Sequence, residues 1–467
     1  MSSPPILLDA GDPRPVHFVG IGGAGMSGLA ELLVRRGVRV SGCDSNPSPE
    51  SIQDLAQHGI QVITGHSPEH VPGARALVVT SAMPRDHPEV EAARTAGIPI
   101  VRRAEALAEA TRGGEVIAIA GTHGKTTTTV LTTEALAAAG VQPTGLVGGR
   151  VTEWGGNLHA GSDRLFVVEA DEYDRSFLAL TPSIAVITNV EADHLDIYRD
   201  IADIRSAFEQ FLAPAHAVVL CADDPGADSL DVTTGAEVVR YGVDNPQARV
   251  VAQDVQLTPD GTFFSLSYDG KCLGDVALKV SGMHNVRNAL AACATGLTLG
   301  VTLPAMLLGL QRFRGVERRF QRLGEARGVR VVDDYAHHPT EIRATLAAAR
   351  SAFPDGRLIV AFQPHLYTRT RDFAREFGEA LAAADRVFLT EIYPAREQPI
   401  AGVNGSLIKD AVEQAGGTVE WFGERSALAD ALAQTAQSGD VVLTLGAGDI
   451  TKTGPELLER LRTGSSQ

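Results

Sequence analysis

The feature that most constrains the fold is a pair of glycine-rich turns, each of which follows an apolar strand and opens a helix. The first lies in "VHFVGIGGAGMSGLAELL", where Gly20, Gly22 and Gly25 fit the pattern G-x-G-x-x-G. A second apolar strand ends at Asp44, 19 residues after Gly25. This spacing is the dinucleotide-binding fingerprint, with an acid placed to meet a ribose hydroxyl. By spacing alone the first turn predicts a parallel α/β sheet with a nucleotide at its edge.

The second turn lies in "VIAIAGTHGKTTTT" and predicts a phosphate cradle. Backbone N–H groups and the helix dipole at such a turn favour an anion. Lys125 adds a positive charge for the terminal phosphates, and the hydroxyl of Thr126 suits Mg²⁺. A strict Walker A motif has a glycine six residues before the lysine, where this chain has Ile119. The loop is therefore a shortened variant of that motif.

The rest of the chain repeats the strand–helix rhythm, which is typical of parallel sheets covered by helices. We predict an α/β protein of three domains in series, spanning residues 1–110, 111–314 and 315–467. The run from Ala289 to Leu310 has no charged residue and is long enough for a membrane span. Gly300 and Pro304 interrupt it, so we expect two buried helices, the second with Pro304 in its first turn.

Composition excludes several classes of partner. The formal charge of −16 argues against nucleic acid and against an anionic membrane surface. The four cysteines have no C-x-x-C spacing, which favours reduced thiols over a disulfide framework or a zinc site. The segment "MSSPPILLDAGDPRP" lacks the basic start and apolar run of a signal peptide. We therefore expect a cytoplasmic protein without membrane insertion.

Acidic side chains follow two strands of the central domain. The first set lies in "LFVVEADEYDRSF", which contains Glu169, Asp171, Glu172 and Asp174, and the second in "NVEADHLD", which contains His194. Carboxylates at strand ends beside a phosphate loop are suited to hold Mg²⁺. An acidic loop is otherwise a solvated surface, and that alternative stays open.

The third domain has two polar motifs at strand ends. In "DDYAHHPTEI", His337 and His338 could bind a metal, contact a substrate or cap the following helix. In "FQPHLYTRTRDF", Arg369 and Arg371 suit a carboxylate or a phosphate, because the guanidinium binds either in a bidentate manner. A solvated start of a helix is the alternative.

Taken together, these motifs resemble those of the Mur ligases of peptidoglycan synthesis. The resemblance covers nearly the whole chain and also includes "HNVRNALAA", "ERRFQ" and "EIYPAREQPIAGVNG". It implies three domains: a Rossmann-like N-terminal domain that receives the UDP of a sugar nucleotide, a P-loop-type central ATPase domain and a Rossmann-like C-terminal domain. The first turn then holds UDP instead of NAD, and the second holds ATP.

The resemblance also implies an activity and its residues. The activity is ATP-dependent ligation of L-alanine to UDP-N-acetylmuramate through an acyl phosphate, with Mg²⁺. The catalytic residues implied are Lys125, Glu169, His194 and Arg318, and the metal ligands are Thr126, Glu169 and His194. The ATP-binding residues implied are Gly121, Thr122, His123, Gly124, Lys125, Thr126, Thr127, His284, Asn285, Asn288 and Asp334. The UDP-sugar residues implied are Gly20, Gly22, Gly23, Gly25, Met26, Ser27, Asp44 and Ser81, and the amino-acid residues are Tyr335, His337 and Arg369.

Three alternatives remain at this point. Within the family, a recycling ligase adds a tripeptide to the same sugar nucleotide. From other classes, the chain could be an NAD-dependent oxidoreductase or a non-catalytic nucleotide-binding module. The G-K-T loop argues against the oxidoreductase, and the presence of Lys125, Glu169 and His194 argues against the module. The oligomeric state, monomer or dimer, is open.

Overall fold

The computed structural model describes residues 6–9, 11–80, 83–84, 86–232, 235–395 and 397–463. The N-terminal sheet has five parallel strands in the order β3-β2-β1-β4-β5. The strands are β1 Val16–Val19, β2 Val40–Asp44, β3 Gln61–Thr64, β4 Ala76–Val79 and β5 Ile100–Arg102. The helices are α1 Ala24–Arg35, α2 Pro49–Gln57, α3 Pro88–Ala96 and α4 Arg103–Ala110. This strand order brings the first glycine turn to the middle of the sheet, as in Rossmann-like folds.

The central sheet has ten strands in the order β15-β14-β13-β12-β11-β10-β6-β9-β7-β8. The strands are β6 Glu115–Ala120, β7 Thr144–Val151, β8 Gly156–His159, β9 Leu165–Glu169, β10 Ile184–Ile187, β11 Ala217–Cys221, β12 Glu237–Val243, β13 Val250–Thr258, β14 Gly261–Tyr268 and β15 Lys271–Leu278. The helices are α5 Lys125–Ala138, α6 Ile201–Leu212, α7 Pro225–Asp228, α8 Met283–Thr298 and α9 Leu303–Arg312. Strand β6 pairs in parallel with β9 and β10, so the carboxyl ends of these three strands lie at one edge.

The C-terminal sheet has six strands in the order β16-β17-β21-β18-β19-β20. The strands are β16 Gln321–Ala326, β17 Val329–Asp334, β18 Leu358–Phe362, β19 Arg386–Thr390, β20 Val419–Gly423 and β21 Val441–Leu445. The helices are α10 Pro339–Ala352, α11 Tyr367–Asp372, α12 Ala374–Leu381, α13 Ser406–Gln414, α14 Arg425–Thr435 and α15 Thr453–Thr463. Only β16 runs antiparallel to its neighbour among the pairs of described residues. The prediction of a three-domain α/β protein is confirmed.

The chain packs as two compact units. The first unit comprises residues 1–253, 266–274 and 287–310, and the second comprises 254–265, 275–286 and 311–467. The domain boundaries at 110 and 314 remain predictions. The uncharged run forms α8 and α9, with Pro304 as the second residue of α9, as predicted. Within the described ranges, no helix combines the length and apolarity that crossing a membrane requires.

Candidate active site

The second glycine turn connects β6 to α5, and its backbone leaves no room for side chains. Gly121 and Gly124 have φ angles of +136° and +83°, which non-glycine residues rarely adopt. A Cβ atom on Gly121 would lie 2.1 Å from Thr188 Oγ1, and one on Gly124 would lie 2.6 Å from Asn288 Oδ1. Glycine at both positions avoids these clashes and leaves the backbone amides accessible at the N-terminus of α5, where an anion is favoured.

The end of β10 holds this turn in place. Asn189 Oδ1 accepts a hydrogen bond from the amide of His123 at 2.8 Å, and Asn189 Nδ2 donates to the carbonyl of His123 at 3.0 Å. Thr188 Oγ1 donates to the same carbonyl at 2.6 Å. The hydroxyl of Thr122 accepts from the amide of Glu191 at 2.9 Å. Asn189 thus orients the turn from an adjacent strand, a role that the sequence did not reveal.

Lys125 lies at the start of α5 with its ammonium group buried. Its Nζ donates to the Glu172 carboxylate at 2.7 and 3.0 Å and to the carbonyl of Gly121 at 2.7 Å. Burial lowers the pKa of Lys125, but the charge of Glu172 and of nearby Asp171 outweighs burial and raises this pKa to about 12 overall. Lys125 is therefore a cation at neutral pH, as a phosphate site requires.

Glu172 provides the opposite charge, and sequence reasoning did not select it as a site residue. Its carboxylate is buried and also lies 3.6 Å from His194 Nε2. Burial raises the pKa of Glu172, but Lys125 and His194 lower it to below its usual range overall. The only sequence signal was its position three residues after Glu169 in the acidic motif. Glu172 is therefore the counter-ion of Lys125.

The residues predicted to hold a metal gather around the same turn. Thr126 Oγ1 donates to Glu169 Oε2 at 3.0 Å, and the amide of Gly148 donates to that oxygen at 2.8 Å. His194 has a φ angle of +53°. Its ring contacts that of Tyr173 with the centroids 5.1 Å apart. The Thr126 hydroxyl and the Glu169 carboxylate are the oxygen ligands that a hard divalent cation prefers, and His194 lies beside Glu172.

The predicted ATP-binding residues divide between the two units. In the first unit, Thr128 Oγ1 donates to Asn288 Oδ1 at 3.2 Å, so α8 contacts the first turn of α5. Thr127 lies buried in that same turn. His284 and Asn285, which precede Asn288 on α8, belong to the second unit, where Asn285 Nδ2 donates to the carbonyl of Ser281 at 2.9 Å.

The first glycine turn is fastened by β2 and not by a neighbouring loop. Asp44 Oδ2 accepts from the amide of Gly22 at 3.0 Å, and Asp44 Oδ1 accepts from the amide of Asn46 at 3.0 Å. The carbonyl of Cys43 accepts from the amide of Gly20 at 2.8 Å. Met26 is buried at 1% exposure, so its side chain packs in the core, and its contact with the UDP-sugar remains a prediction. Ser81 lies outside the described residues.

A cavity of about 100 Å³ opens between this turn and the central sheet. Ser27 Oγ donates to Asn157 Oδ1 at 3.4 Å across it, and Arg150 pairs with Asp54 at 3.0 Å. Arg103 also lies against the turn, because a Cβ atom on Gly25 would be 2.9 Å from its Nη1. Arg103, Arg150 and Asn157 are candidate ligand contacts that no motif in the sequence indicated.

In the second unit, Arg318 lies in the loop before β16, and Asp334 lies at the end of β17 beside that loop. Arg318 Nη2 donates to the carbonyl of Gly446 at 2.7 Å, and its guanidinium lies 4.8 Å from the ring centre of Tyr335. Asp334 accepts from the amides of Phe320 and Ala336, both at 2.7 Å. Burial raises the pKa of Asp334 to about 6. Both side chains thus shape the loop whether or not they also contact ATP.

The amino-acid residues predicted on this unit are partly brought together. The rings of Tyr335 and His337 lie 5.1 Å apart, and those of His337 and His365 lie 6.1 Å apart. Tyr335 and His337 follow β17 and His365 follows β18, and β21 lies between these two strands. Arg369 is buried in α11 at 6% exposure. His338 caps α10 by accepting from the amide of Thr340 at 3.4 Å, which confirms the capping alternative for that residue.

Family models identify the chain along most of its length. The Mur ligase family catalytic domain matches residues 15–114, the Mur ligase middle domain matches 119–296, and the Mur ligase glutamate ligase domain matches 318–448. The chain belongs to the Mur ligase family. The two glycine turns therefore lie in the first and middle domains of a Mur ligase.

Relatives of this Mur ligase match over nearly the whole chain. It is 45% identical over 453 residues to UDP-N-acetylmuramate–L-alanine ligase of Acidothermus cellulolyticus, which covers 96% of this chain and 94% of the relative. It is 47% identical to the enzyme of that name from Kineococcus radiotolerans, covering 96% of each. The crystal structure of UDP-N-acetylmuramate–alanine ligase from Thermotoga maritima aligns with a TM-score of 0.82 and 31% identity, covering 97% of this chain and 100% of that one.

Proposed function

We propose that this Mur ligase joins L-alanine to UDP-N-acetylmuramate in peptidoglycan synthesis, with ATP as the energy source. Its relatives of that name share 45–47% of their residues with it. The observation that carries the proposal is the charged Lys125 in a glycine turn, next to Thr126 and Glu169 at converging strand ends. That arrangement suits phosphoryl transfer and is absent from the first turn.

The reaction follows from the chemistry of the two substrates. A carboxylate does not react with an amine, so ATP first phosphorylates the lactyl carboxylate to an acyl phosphate and leaves as ADP. The amine of L-alanine then attacks the acyl carbon. Phosphate departs from the tetrahedral intermediate and the amine loses a proton, which leaves an amide. Lys125 stabilises the charge that accumulates on the transferring phosphoryl group.

The residues around the turn fit Mg²⁺, which we propose as the cofactor. Thr126 and Glu169 would supply the hydroxyl and carboxylate oxygens that Mg²⁺ prefers, and His194 would complete the protein's set as a nitrogen ligand. When bound, the ion neutralises charge on the phosphate oxygens. Glu172 keeps Lys125 ordered before ATP arrives. Arg318 and Asp334 remain proposed contacts to the phosphates and the ribose.

The first turn is proposed to hold the UDP portion of the sugar nucleotide. Its amides lie at the N-terminus of α1, which favours a diphosphate. Arg103 beside Gly25 supplies a positive charge there.

The three buried cysteines are free thiols, and we propose a cytoplasmic location on that basis.

The amino acid is proposed to bind beside Tyr335 and His337, with Arg369 holding its carboxylate. Arg369→Lys keeps the charge but loses the bidentate geometry. We expect a higher KM for alanine with little change in the KM for ATP. An unchanged KM for alanine would remove Arg369 from the site.

Measuring phosphate release with different amine substrates distinguishes the alanine ligase from the recycling ligase. The enzyme is assayed with Mg²⁺, ATP and UDP-N-acetylmuramate, and with L-alanine, glycine, L-serine or the tripeptide in turn. L-alanine should give the highest kcat/KM. The murein peptide ligase of Psychrobacter arcticus aligns less well, with a TM-score of 0.73 and 26% identity. A preference for the tripeptide would favour the recycling activity, and saturable binding of NADH at the first turn would favour an oxidoreductase.

A further inference from the structure

A cluster of histidine, cysteine and glutamate side chains lies in the N-terminal domain, on the face of the sheet that α3 covers. It consists of His17 on β1, Cys43 on β2, His70 after β3 and Glu89 on α3. One potential ligand atom from each lies within 4.8 Å of the others. No part of the proposed ligation requires these four residues.

Glu89 is the centre of the cluster and is fully buried. Cys43 Sγ lies 3.1 Å from its Oε1, and His70 Nδ1 lies 2.8 Å from the same oxygen. The amide of Ser67 also donates to this oxygen at 3.0 Å. A buried carboxylate is costly unless it is paired with a cation or binds a metal. Its side-chain partners here are the Cys43 thiol and the imidazoles of His70 and, at 3.5 Å, His66, none of which carries a permanent charge.

His17 supplies the second observation. It is 1% exposed, and its Nδ1 lies 2.9 Å from Ser41 Oγ. Its Nε2 atom is buried and has no hydrogen-bond partner among the residues that the structure describes. Burial lowers the pKa of His17 to about 4, so the ring is neutral at physiological pH. A neutral imidazole with one nitrogen fixed by a hydrogen bond and the other available is the usual state of a metal ligand.

We propose that His17, Cys43, His70 and Glu89 bind a zinc-like divalent transition-metal ion. Two imidazoles, one thiolate and one carboxylate are a donor set that suits Zn²⁺ and not Mg²⁺. Tetrahedral Zn²⁺ with ordinary bond lengths holds its ligand atoms roughly 3.3–3.6 Å apart. The four side chains need only small adjustments to reach that spacing.

Binding is coupled to loss of a proton. Burial and the nearby Glu89 raise the pKa of the Cys43 thiol well above its usual range, so the metal-free cysteine is protonated. When the ion binds, the S–H bond breaks, the proton leaves to solvent and the sulfur electron pair forms the metal–sulfur bond. One proton should therefore be released per ion bound.

The site is directly linked to the first glycine turn. The carbonyl of Cys43 accepts hydrogen bonds from the amides of Gly20 and Ile21 at 2.8 and 3.0 Å. A metal bond to the cysteine side chain would fix the strand that anchors this turn. The bound ion is thus expected to raise the melting temperature without taking part in phosphoryl transfer.

The test uses the full-length protein, freed of metal with a chelator and then titrated with Co²⁺ in excess Mg²⁺. We expect one equivalent of Co²⁺ to produce a near-ultraviolet thiolate-to-cobalt charge-transfer band. Cys43→Ser should lose the band, whereas the control Cys272→Ser, which removes the exposed thiol, should retain it. His17→Gln should weaken Co²⁺ binding by at least about tenfold, because even the loss of a group that only orients a metal ligand costs about 10–100-fold.

Either of two results would overturn the proposal: no charge-transfer band with the wild-type protein, or a band that persists in Cys43→Ser. If Cys43→Ser does not fold, zinc X-ray absorption of the wild-type protein decides. One sulfur neighbour at the usual zinc–sulfur distance supports the site, and a zinc shell with only nitrogen and oxygen contradicts it. Because the readout is spectroscopic, it is independent of the proposed ligase activity.

Discussion

The two glycine turns have the same local architecture and very different surroundings. Both follow a central parallel strand and open a helix, α1 in one case and α5 in the other. The first is fastened by Asp44 from the next strand and contains no lysine. The second is fastened by Asn189, and it opens into the Lys125–Glu172 ion pair. A glycine turn thus provides a place for an anion, while the adjacent strand ends determine which chemistry occurs there.

The largest effect is expected from removing the charge of Lys125, because the first turn has no lysine. Lys125→Ala should reduce ligation by on the order of 10³-fold, because it removes the cation that faces the transferring phosphoryl group. The affinity for UDP-N-acetylmuramate should be unchanged, since that ligand is proposed to bind the other turn. Steady-state kinetics and calorimetry measure the two quantities. Lys271→Ala removes an exposed lysine and serves as the control; substantial turnover by Lys125→Ala would contradict the assignment.

The second effect concerns the ion pair. Glu172→Gln leaves Lys125 buried without its counter-charge, so the nucleotide-free protein should lose about 3 kcal/mol of stability. Mg²⁺-ATP should restore much of that loss, because its phosphates replace the missing negative charge. Thermal unfolding with and without nucleotide tests this. Asp171→Asn changes a more exposed carboxylate that also contributes to the charge around Lys125, so it should cost clearly less; an equal loss in both variants would argue against a specific pair.

The third prediction compares one glycine of positive φ from each turn, Gly124 at the N-cap of α5 and Gly20 directly after β1. Gly124→Ala combines a φ of +83° with a contact of 2.6 Å to Asn288, whereas Gly20 has a φ of +77° and no atom within 4 Å of the added Cβ. Gly20→Ala should cost about 1–2 kcal/mol from backbone strain alone. Gly124→Ala should cost more than that and should raise the KM for ATP. Equal effects of the two variants would show that the packing of Asn288 is unimportant.

The smallest expected effect lies at the first turn. The two carboxylate oxygens of Asp44 accept one hydrogen bond each, from the amides of Gly22 and Asn46. Asp44→Asn has only one acceptor oxygen, so one of these hydrogen bonds is lost. Loss of one such bond costs about 1 kcal/mol. We expect a rise of about fivefold in the KM for UDP-N-acetylmuramate, with the KM for ATP unchanged. A shift in the KM for ATP alone would reverse the assignment of the two turns.

Sequence reasoning predicted those features that depend on neighbouring residues in the chain. The strand–turn–helix units, the position of Lys125 and the helix break near Gly300 all follow from local patterns. Glu172, Asn189, Arg103 and Asn157 could not be selected in this way, because their roles depend on which strands lie side by side. The position of β21 between β17 and β18 also depends on how the strands pair, which the spacing of apolar residues along the chain cannot predict.

The ion pair between Lys125 and Glu172 also bears on how a catalytic cycle ends. After ligation, ADP and inorganic phosphate must leave a turn that is built to attract phosphate. Glu172 remains within reach as an internal anion that needs no diffusion to rebind the lysine. We expect Glu172 to take the place of each departing phosphate at the lysine. The carboxylate that orders the empty turn can in this way speed product release and limit inhibition by free phosphate.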